Sequence, residues 1–450
     1  MNLNLKKPPF LETLNFMELE ASQFDILLHA DEFRQKILQL IKQSKNRIYM
    51  TALYLQDDEA GQEILHAMYQ AKQQNPDLDV KLFVDFSRAQ RGLMGHAKSI
   101  GNVRLYRECH EQYQHKIDIY GVPVKTKEMF GVLHIKGFVF DDAVLYSGAS
   151  LNDVYLQKSD KYRYDRYHLI NHSKLADSFA DFLSDILLSA GALQKLTDKD
   201  IPTKKALKPN IKQFKKILRA ASYNFDAKES DGQSALTVTP LLGFGRSKNR
   251  LNQTIFEVVK NTQKAIRIFT PYFNFPGKIN KALRRLLKDG KQVEIVVGDK
   301  RANDFYIPPT EPFNKVGIVP YVYETNLRAF VKKNQKFIDA GLLKVYLWYH
   351  NDNSFHLKGI SSDNQYHLLT GHNINPRAWL LDLENGILIH DKQEQLKAKF
   401  EEEFQTILTH TTLVKNVSEI ETISHYPDEA RTLMRRVKGA KIDSILNRLL

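Results

Sequence analysis

The stretch Val132-Leu-His-Ile-Lys-Gly-Phe-Val-Phe-Asp141 recurs as Ser354-Phe-His-Leu-Lys-Gly-Ile-Ser-Ser-Asp363. In both, a histidine is followed two residues later by lysine and five after that by aspartate. The surroundings recur as well. Ser147-Gly-Ala-Ser-Leu-Asn152 returns as Thr370-Gly-His-Asn-Ile-Asn375, and Asp165-Arg-Tyr-His-Leu-Ile170 as Glu384-Asn-Gly-Ile-Leu-Ile389. Upstream, Arg47-Ile-Tyr-Met-Thr-Ala-Leu-Tyr-Leu55 resembles Ile266-Arg-Ile-Phe-Thr-Pro-Tyr-Phe273. The following strands, Val80 to Asp85 and Val293 to Val297, run into Arg88-Ala-Gln and Arg301-Ala-Asn. Matching offsets of about 220 residues make the chain a duplication of itself. Apolar β-branched runs alternating with helical periods predict an α/β fold, each half a mixed β-sheet flanked by helices. The expected units are 1–202, a basic linker and helix at 203–219, 220–427, and a basic amphipathic tail at 428–450.

Side chains at i and i+2 of a strand share a face. His134 and Lys136 therefore project together, as do His356 and Lys358, while Leu133, Ile135 and Val139 pack on the other side. Gly137 and Gly359 follow, where a close approach to the strand is expected. A core histidine beside a snorkelling lysine explains one such motif; it does not explain two in matching contexts. The pair predicts one site at the pseudo-two-fold interface, with two His, two Lys and the asparagines Asn152 and Asn375. Such a set suits phosphodiester chemistry. A neutral imidazole attacks phosphorus, a protonated one serves the leaving and entering oxygens, and lysines and asparagines stabilise the phosphoryl oxygens. Asp165 and Glu384 stand at equivalent repeat positions and are expected to hold the second ring nitrogens. Asp141 and Asp363 have the wrong parity to face substrate and are assigned a structural, charge-pairing role.

The composition is that of a globular protein, 42% hydrophobic, 10% aromatic and 26% charged, which disfavours disorder and coiled coil. A net charge of +13 favours a polyanionic partner. The single cysteine, Cys109, allows neither an intrachain disulfide nor a thiolate cage and reads as a buried thiol. There is no H-E-x-x-H and no phosphate-binding loop motif, so neither a metal nor a cofactor is expected. No run of 18 apolar residues occurs, and the N-terminus lacks a secretory h-region, so membrane contact is expected to be peripheral.

The duplicated H-x-K-x-x-x-x-D motif with a downstream [ST]-G-x-[SN]-x-N resembles the signature of the phospholipase D superfamily. Val84-Asp-Phe-Ser-Arg-Ala-Gln-Arg-Gly92, Tyr146-Ser-Gly-Ala-Ser-Leu-Asn-Asp-Val-Tyr155, Asp160-Lys-Tyr-Arg-Tyr-Asp-Arg-Tyr-His168, Gly298-Asp-Lys-Arg-Ala-Asn-Asp-Phe-Tyr306 and Asn375-Pro-Arg-Ala-Trp379 extend the likeness. They resemble the Gram-negative bacterial family of CDP-diacylglycerol–serine O-phosphatidyltransferases. The resemblance implies two tandem phospholipase D-like repeats with one active site, and phosphatidylserine synthesis without cofactor or metal. CDP-diacylglycerol is attacked, CMP leaves, and serine captures a phosphatidyl-histidine. His134 is taken as nucleophile and His356 as general acid/base; the near-symmetry of the halves leaves the reverse order open. Arg88 and Arg91 are candidates for the pyrophosphate or cytidine, and Arg163 and Arg166 for the serine carboxylate or a phosphate. Solvated loops and surface ion pairs are the alternatives.

Two further surfaces suit a lipid substrate. Ile442, Ile445, Leu446 and Leu449 share a helical face opposite Lys441, Ser444 and Arg448, with Arg431, Arg435, Arg436 and Lys438 before them. Lys204 to Arg219 carries seven basic residues and no acid. The expected place is the cytoplasmic side of the inner membrane, bound peripherally to anionic lipid, with nonspecific affinity for RNA or ribosomes on the same surface. Rival readings are a phospholipase D-type hydrolase, a cardiolipin synthase-like enzyme, or a nuclease of the superfamily.

Overall fold

A computed structural model describes residues 9–92, 101–125, 130–226 and 234–439, with the side chains of 437–439 excepted. Two sheets dominate it. The first runs in the order Gln194–Lys195, Asp118–Val122, Asp79–Asp85, Arg47–Ala52, Gly137–Phe140, Ala143–Ser147, Tyr167–Asn171, Phe24–Leu27. The second runs Met17–Glu18, Leu236–Phe244, Leu383–Asp391, Tyr366–Thr370, Gly359–Ser362, Ala265–Thr270, Gln292–Gly298, Leu343–Trp348, Thr411–Leu413. Each centre is mixed. Arg47–Ala52 is parallel to Asp79–Asp85 and antiparallel to Gly137–Phe140, and Ala265–Thr270 repeats the pattern with Gln292–Gly298 and Gly359–Ser362.

Helices cover the outer faces because their apolar stripes match the strands beneath. Phe33, Ile37 and Ile41 of Ala30–Gln43 join Ile48, Met50 and Leu82 in one core. Ile255, Val258 and Val259 of Arg250–Asn261 join Ile266, Ile268 and Ile295 in its counterpart. A third core joins the halves. Val139, Val144, Tyr146 and Phe179 of the first half are buried with Leu369, Leu383, Ile387 and Ile389 of the second. Apolar burial of this kind contributes about 25 cal/mol per Å². The two inner faces are therefore docked by the same force that builds each half.

The halves are interlaced across the boundary expected at 202. Met17 pairs with Val238, and Leu11 and Leu14 lie in the second half's core. The linker forms the helix Lys208–Ala220, which buries Ile211, Phe214 and Leu218 and exposes Lys212, Lys216 and Arg219. At the C-terminus, Ala430 and Met434 of Asp428–Gly439 are buried against the protein. The apolar face from Ile442 to Leu449 lies outside the described residues. Cys109 is buried, which pushes its thiol up to about 11.

Two details differ from the expected strands. The sheet strands begin at Gly137 and Gly359, so His134, Lys136, His356 and Lys358 lie on the extended segments leading into them. The motif acids close turns after those strands by hydrogen bonding rather than by charge pairing. The Asp141 carboxylate accepts the backbone N–H groups of Lys45, Asn46 and Arg47, and Asp363 accepts those of Gln263, Lys264 and Ala265. Both sit at positive φ, 47° and 56°. Removing three acceptors at a strand's start is expected to cost about 2 kcal/mol or more. Asp141→Ala and Asp363→Ala should each lower the urea midpoint, and an unchanged midpoint would contradict this role.

Candidate active site

The motif segments do not pair within their own half. Leu133 bridges Leu383 in parallel, and the His134 N–H donates to the Leu383 carbonyl at 2.9 Å. In the mirror arrangement, Ser354–Phe355 pairs in parallel with Arg163–Tyr164, and the His356 N–H donates to the Tyr164 carbonyl at 2.8 Å. Each histidine is thereby carried to the acid of the opposite repeat. His134 Nδ1 lies 2.8 Å from Glu384 Oε2, and His356 Nδ1 lies 2.8 Å from Asp165 Oδ2. Sequence supplied both acids but not the crossing.

Burial sets the protonation. It drives both imidazoles well below 6.5, with Lys136 adding to the effect on His134 and Lys358 on His356. Burial also raises Asp165 and lifts Glu384 to about 7. A neutral His134 that turns its Nδ1–H to Glu384 keeps the lone pair of Nε2, while His356 Nδ1 is shared between Asp165 and Lys358 Nζ. His134 Nε2 has no partner among the described residues, whereas Tyr155 Oη stands 3.1 Å from His356 Nδ1 and 3.2 Å from His356 Nε2.

The lysines are sealed in, each 1% exposed. Burial lowers Lys136 to about 8 and Lys358 to about 7, against the attraction of Asp165 on both. Lys136 Nζ donates to the Ala149 carbonyl at 3.4 Å, and Lys358 Nζ to Asp165 at 3.3 Å. Fields also cross, since Lys358 acts on His134 and Lys136 on His356. The two dyads thus form one electrostatic site. Gly371 makes the approach possible, because a Cβ there would stand 2.9 Å from Lys136 Cγ.

The asparagines turn their oxygens to the backbone. Asn152 Oδ1 accepts from Tyr155 N–H and Asn375 Oδ1 from Ala378 N–H, which directs the amide nitrogens elsewhere. Asn152 Nδ2 lies 3.5 Å from Gln56 Oε1. Arg88 sits over the Tyr54 ring at 4.5 Å, and Arg91 donates to the Gly92 carbonyl. Arg163 stacks on Tyr155 beside His356.

Arg166, a candidate for the serine carboxylate or a phosphate, is buried and turned to the protein. Its guanidinium is bound to Glu403 at 2.8 and 2.6 Å and reaches the Lys358 carbonyl at 3.4 Å. A Cβ at Gly359 would meet it at 2.1 Å. Its repeat counterpart, Asn385, is a residue that the motif reading missed. The Asn385 amide accepts from Lys136 N–H and donates to Lys136 C=O, both at 2.8 Å. Both residues hold the opposite repeat's lysine through its backbone; their place directly after the paired acids was the available signal.

Two histidine–lysine motifs, each completed by an acid from the other half, define a phospholipase D-type transfer site. The family model described as cardiolipin synthase, PLD-like domain matches residues 37–183 and 255–408. A CDP-diacylglycerol–serine O-phosphatidyltransferase of Haemophilus influenzae is 48% identical over 98% of this chain and 97% of its own length. One of Escherichia coli K12 is 46% identical over 99% and 98%. The crystal structure of phosphatidylserine synthase from H. influenzae Rd KW20 superposes with a TM-score of 0.94 at 47% identity, covering 98% of each chain. The chain belongs to the phospholipase D superfamily and, within it, to the CDP-diacylglycerol–serine O-phosphatidyltransferases.

The buried lysines give the site a pH signature. A lysine whose value is lowered loses its charge as pH rises through about 7 to 8, so the free enzyme loses its oxyanion donors there. The kcat/KM for an anionic donor should fall on the alkaline side. The kcat limb should lie at higher pH, because bound phosphate favours the ammonium form. Superimposable kcat and kcat/KM profiles would contradict this.

Proposed function

We propose that the chain transfers the phosphatidyl group of CDP-diacylglycerol to L-serine, forming phosphatidylserine and CMP for phospholipid biosynthesis. The observation that carries this reading is the pair of crossed dyads in a chain whose near-full-length relatives bear that activity's name. No helix among the described residues is long and apolar enough to cross a membrane.

In the mechanism, His134 Nε2 attacks the phosphatidyl phosphorus. The bond to the CMP oxygen breaks, and that oxygen takes the proton of the His356 imidazolium. Substrate anion raises His356 enough to carry this proton. The phosphorylated His134 ring becomes cationic, and Glu384 at Nδ1 balances the charge. Serine then gives its hydroxyl proton to His356 as its oxygen displaces His134 from phosphorus. Lys136, Lys358 and the asparagine amides stabilise the phosphoryl oxygens.

The nucleophile is assigned from an asymmetry. Tyr155 and Ala378 occupy equivalent places, each donating its N–H to the preceding asparagine. Among the described residues His356 thus has a phenol against its ring, 3.1 Å from Nδ1 and 3.2 Å from Nε2, which suits it to proton transfer rather than attack. Quenching the reaction with labelled CDP-diacylglycerol and mapping the labelled peptide should place the label on His134; label on His356 would reverse the roles. The same protein should incorporate labelled serine into lipid in excess EDTA, and His134→Ala should abolish it. CMP release without labelled lipid would move the acceptor to water or another alcohol.

Peripheral binding to an anionic, cytoplasmic membrane face supplies the lipid. Lys212, Lys216 and Arg219 are exposed, and Phe130 is 45% exposed nearby in the chain segment leading to His134. Burial lowers Lys125, with Lys215 and Arg219 adding to it, so these cations form one basic field. RNA or ribosomes would meet this surface through charge alone. Flotation with liposomes should rise with anionic lipid and fall with salt, more weakly after Lys212→Glu with Lys216→Glu. Indifference to all three would remove the proposal.

A further inference from the structure

The surroundings of the two histidines are unequal in a second way. Beside His356 lies a polar cluster that differs from the ion pair acting on His134, where Arg377 Nε donates to Asp382 Oδ2 at 3.2 Å. Arg163 sits 4.9 Å above the Tyr155 ring, donates through Nε to Ser354 Oγ at 3.1 Å, and places Nη1 3.7 Å from Asp304 Oδ2. The Tyr272 hydroxyl donates to Asp304 Oδ1 at 2.6 Å, and the Tyr272 ring stands edge-on to His356 with centroids 6.3 Å apart. Repeat equivalence places Asp382 where Arg163 stands and Ala378 where Tyr155 stands. The cluster is therefore not a structural requirement of the repeat.

Its chemistry is that of a zwitterion site. A guanidinium and a carboxylate, opposite in charge, are set too far apart for a good hydrogen bond. Each keeps 18% of its side chain accessible. Arg163 Nη2 has no hydrogen-bond partner among the described residues. Although burial alone would raise it, Arg163 and His356 hold the Asp304 carboxyl below its usual range, so it is a full anion. Tyrosines 54, 155 and 272 wall the cluster, each buried and each raised by that burial. A water-poor wall strengthens both charges toward a small ligand.

The position matters as much as the charge. The acceptor must present its hydroxyl to the general base, His356, in the place that the CMP oxygen has left. The cluster is carried on the two rings that flank His356, Tyr155 under Arg163 and Tyr272 bonded to Asp304, so a small α-amino acid bearing a β-hydroxyl suits the space between.

We propose that Arg163 and Asp304 bind the α-carboxylate and α-ammonium of the serine acceptor and so select it over water and simpler alcohols. The proposal rests on the phosphatidyltransferase reading above. Only one acceptor enters per turnover, so only one side of the pseudo-dyad needs such a site, and the repeats have diverged there. Tyr155 couples the two functions, its ring under Arg163 and its hydroxyl at His356.

The test separates donor from acceptor. Wild-type enzyme, Asp304→Asn and Arg163→Lys would be assayed for serine transfer and, without serine, for exchange of labelled CMP into CDP-diacylglycerol. The expected result is a rise of tenfold or more in the serine KM, against less than threefold change in exchange. Phosphatidic acid from water should also gain on phosphatidylserine. Acceptor analogues read each charge separately. Asp304→Asn should narrow the wild-type preference for serine over 3-hydroxypropionate, and Arg163→Lys its preference over ethanolamine. A serine KM within twofold of wild type would overturn the proposal. So would exchange falling in step with transfer, which would give the pair to the donor or to folding; melting curves distinguish those two. If wild-type enzyme makes no phosphatidylserine but still exchanges CMP, it is the functional reading that fails.

Discussion

Everything in the active site depends on a histidine in one repeat meeting a carboxylate in the other. His134 with Glu384 and His356 with Asp165 orient the imidazoles, and neither contact exists inside a single half. The backbone enforces the meeting. Short parallel bridges at Leu133–Leu383 and Phe355–Tyr164 act as clamps, with the histidine next along the chain in both. Docking is driven by the shared apolar core of Val139, Tyr146, Leu369 and Ile387. Buried ions need this support. Taking carboxylates and ammonium groups out of water costs several kcal/mol each, and attraction offsets it only when partners are held in place. Asn385 and Arg166 do the holding through the lysine backbones.

A symmetric site could not assign different tasks to identical groups. Nucleophile and acid/base require unlike imidazoles, and the molecule makes them unlike with few changes. Tyr155 faces His356 where Ala378 occupies the equivalent place in the other repeat. Arg163 stands where Asp382 stands, and Asp382 is engaged with Arg377 and the Val132 N–H. The duplication holds two copies of one histidine–lysine motif, and side chains just outside the motif make their surroundings unequal.

This explains what could be read from the chain alone. The repeat was legible because offsets preserve strand parity, and parity put His134 with Lys136 and His356 with Lys358. Asp165 and Glu384 were legible as equivalent acids. Their exchange between halves was not, because spacing along a chain says nothing about which of two similar surfaces a side chain meets. The partner of Arg166 was hidden for the same reason: Glu403, 237 residues away, holds its guanidinium. Met17 and Glu18 were assigned to the first half by order, yet the open edge of Leu236–Phe244 offered them backbone partners. Asp141 and Asp363 were recognised as structural, but their partners are backbone N–H groups, which carry no sequence signature.

The cost of the buried lysines has a functional side. Lys136 and Lys358 are almost fully sealed and are held near the edge of losing their protons. Such a site is under-compensated: Asp165 attracts both lysines, yet burial still outweighs it. A phosphodiester supplies a further anionic partner, and its charge grows on the equatorial oxygens as phosphorus becomes five-coordinate. The attraction between lysines and phosphate is then greatest in the transition state, which is the condition for catalysis rather than mere binding. The crossed dyads make this arrangement stable enough to persist unliganded. Burial holds each imidazole neutral, so that the lysines need not face additional positive charge until substrate has brought negative charge to meet it.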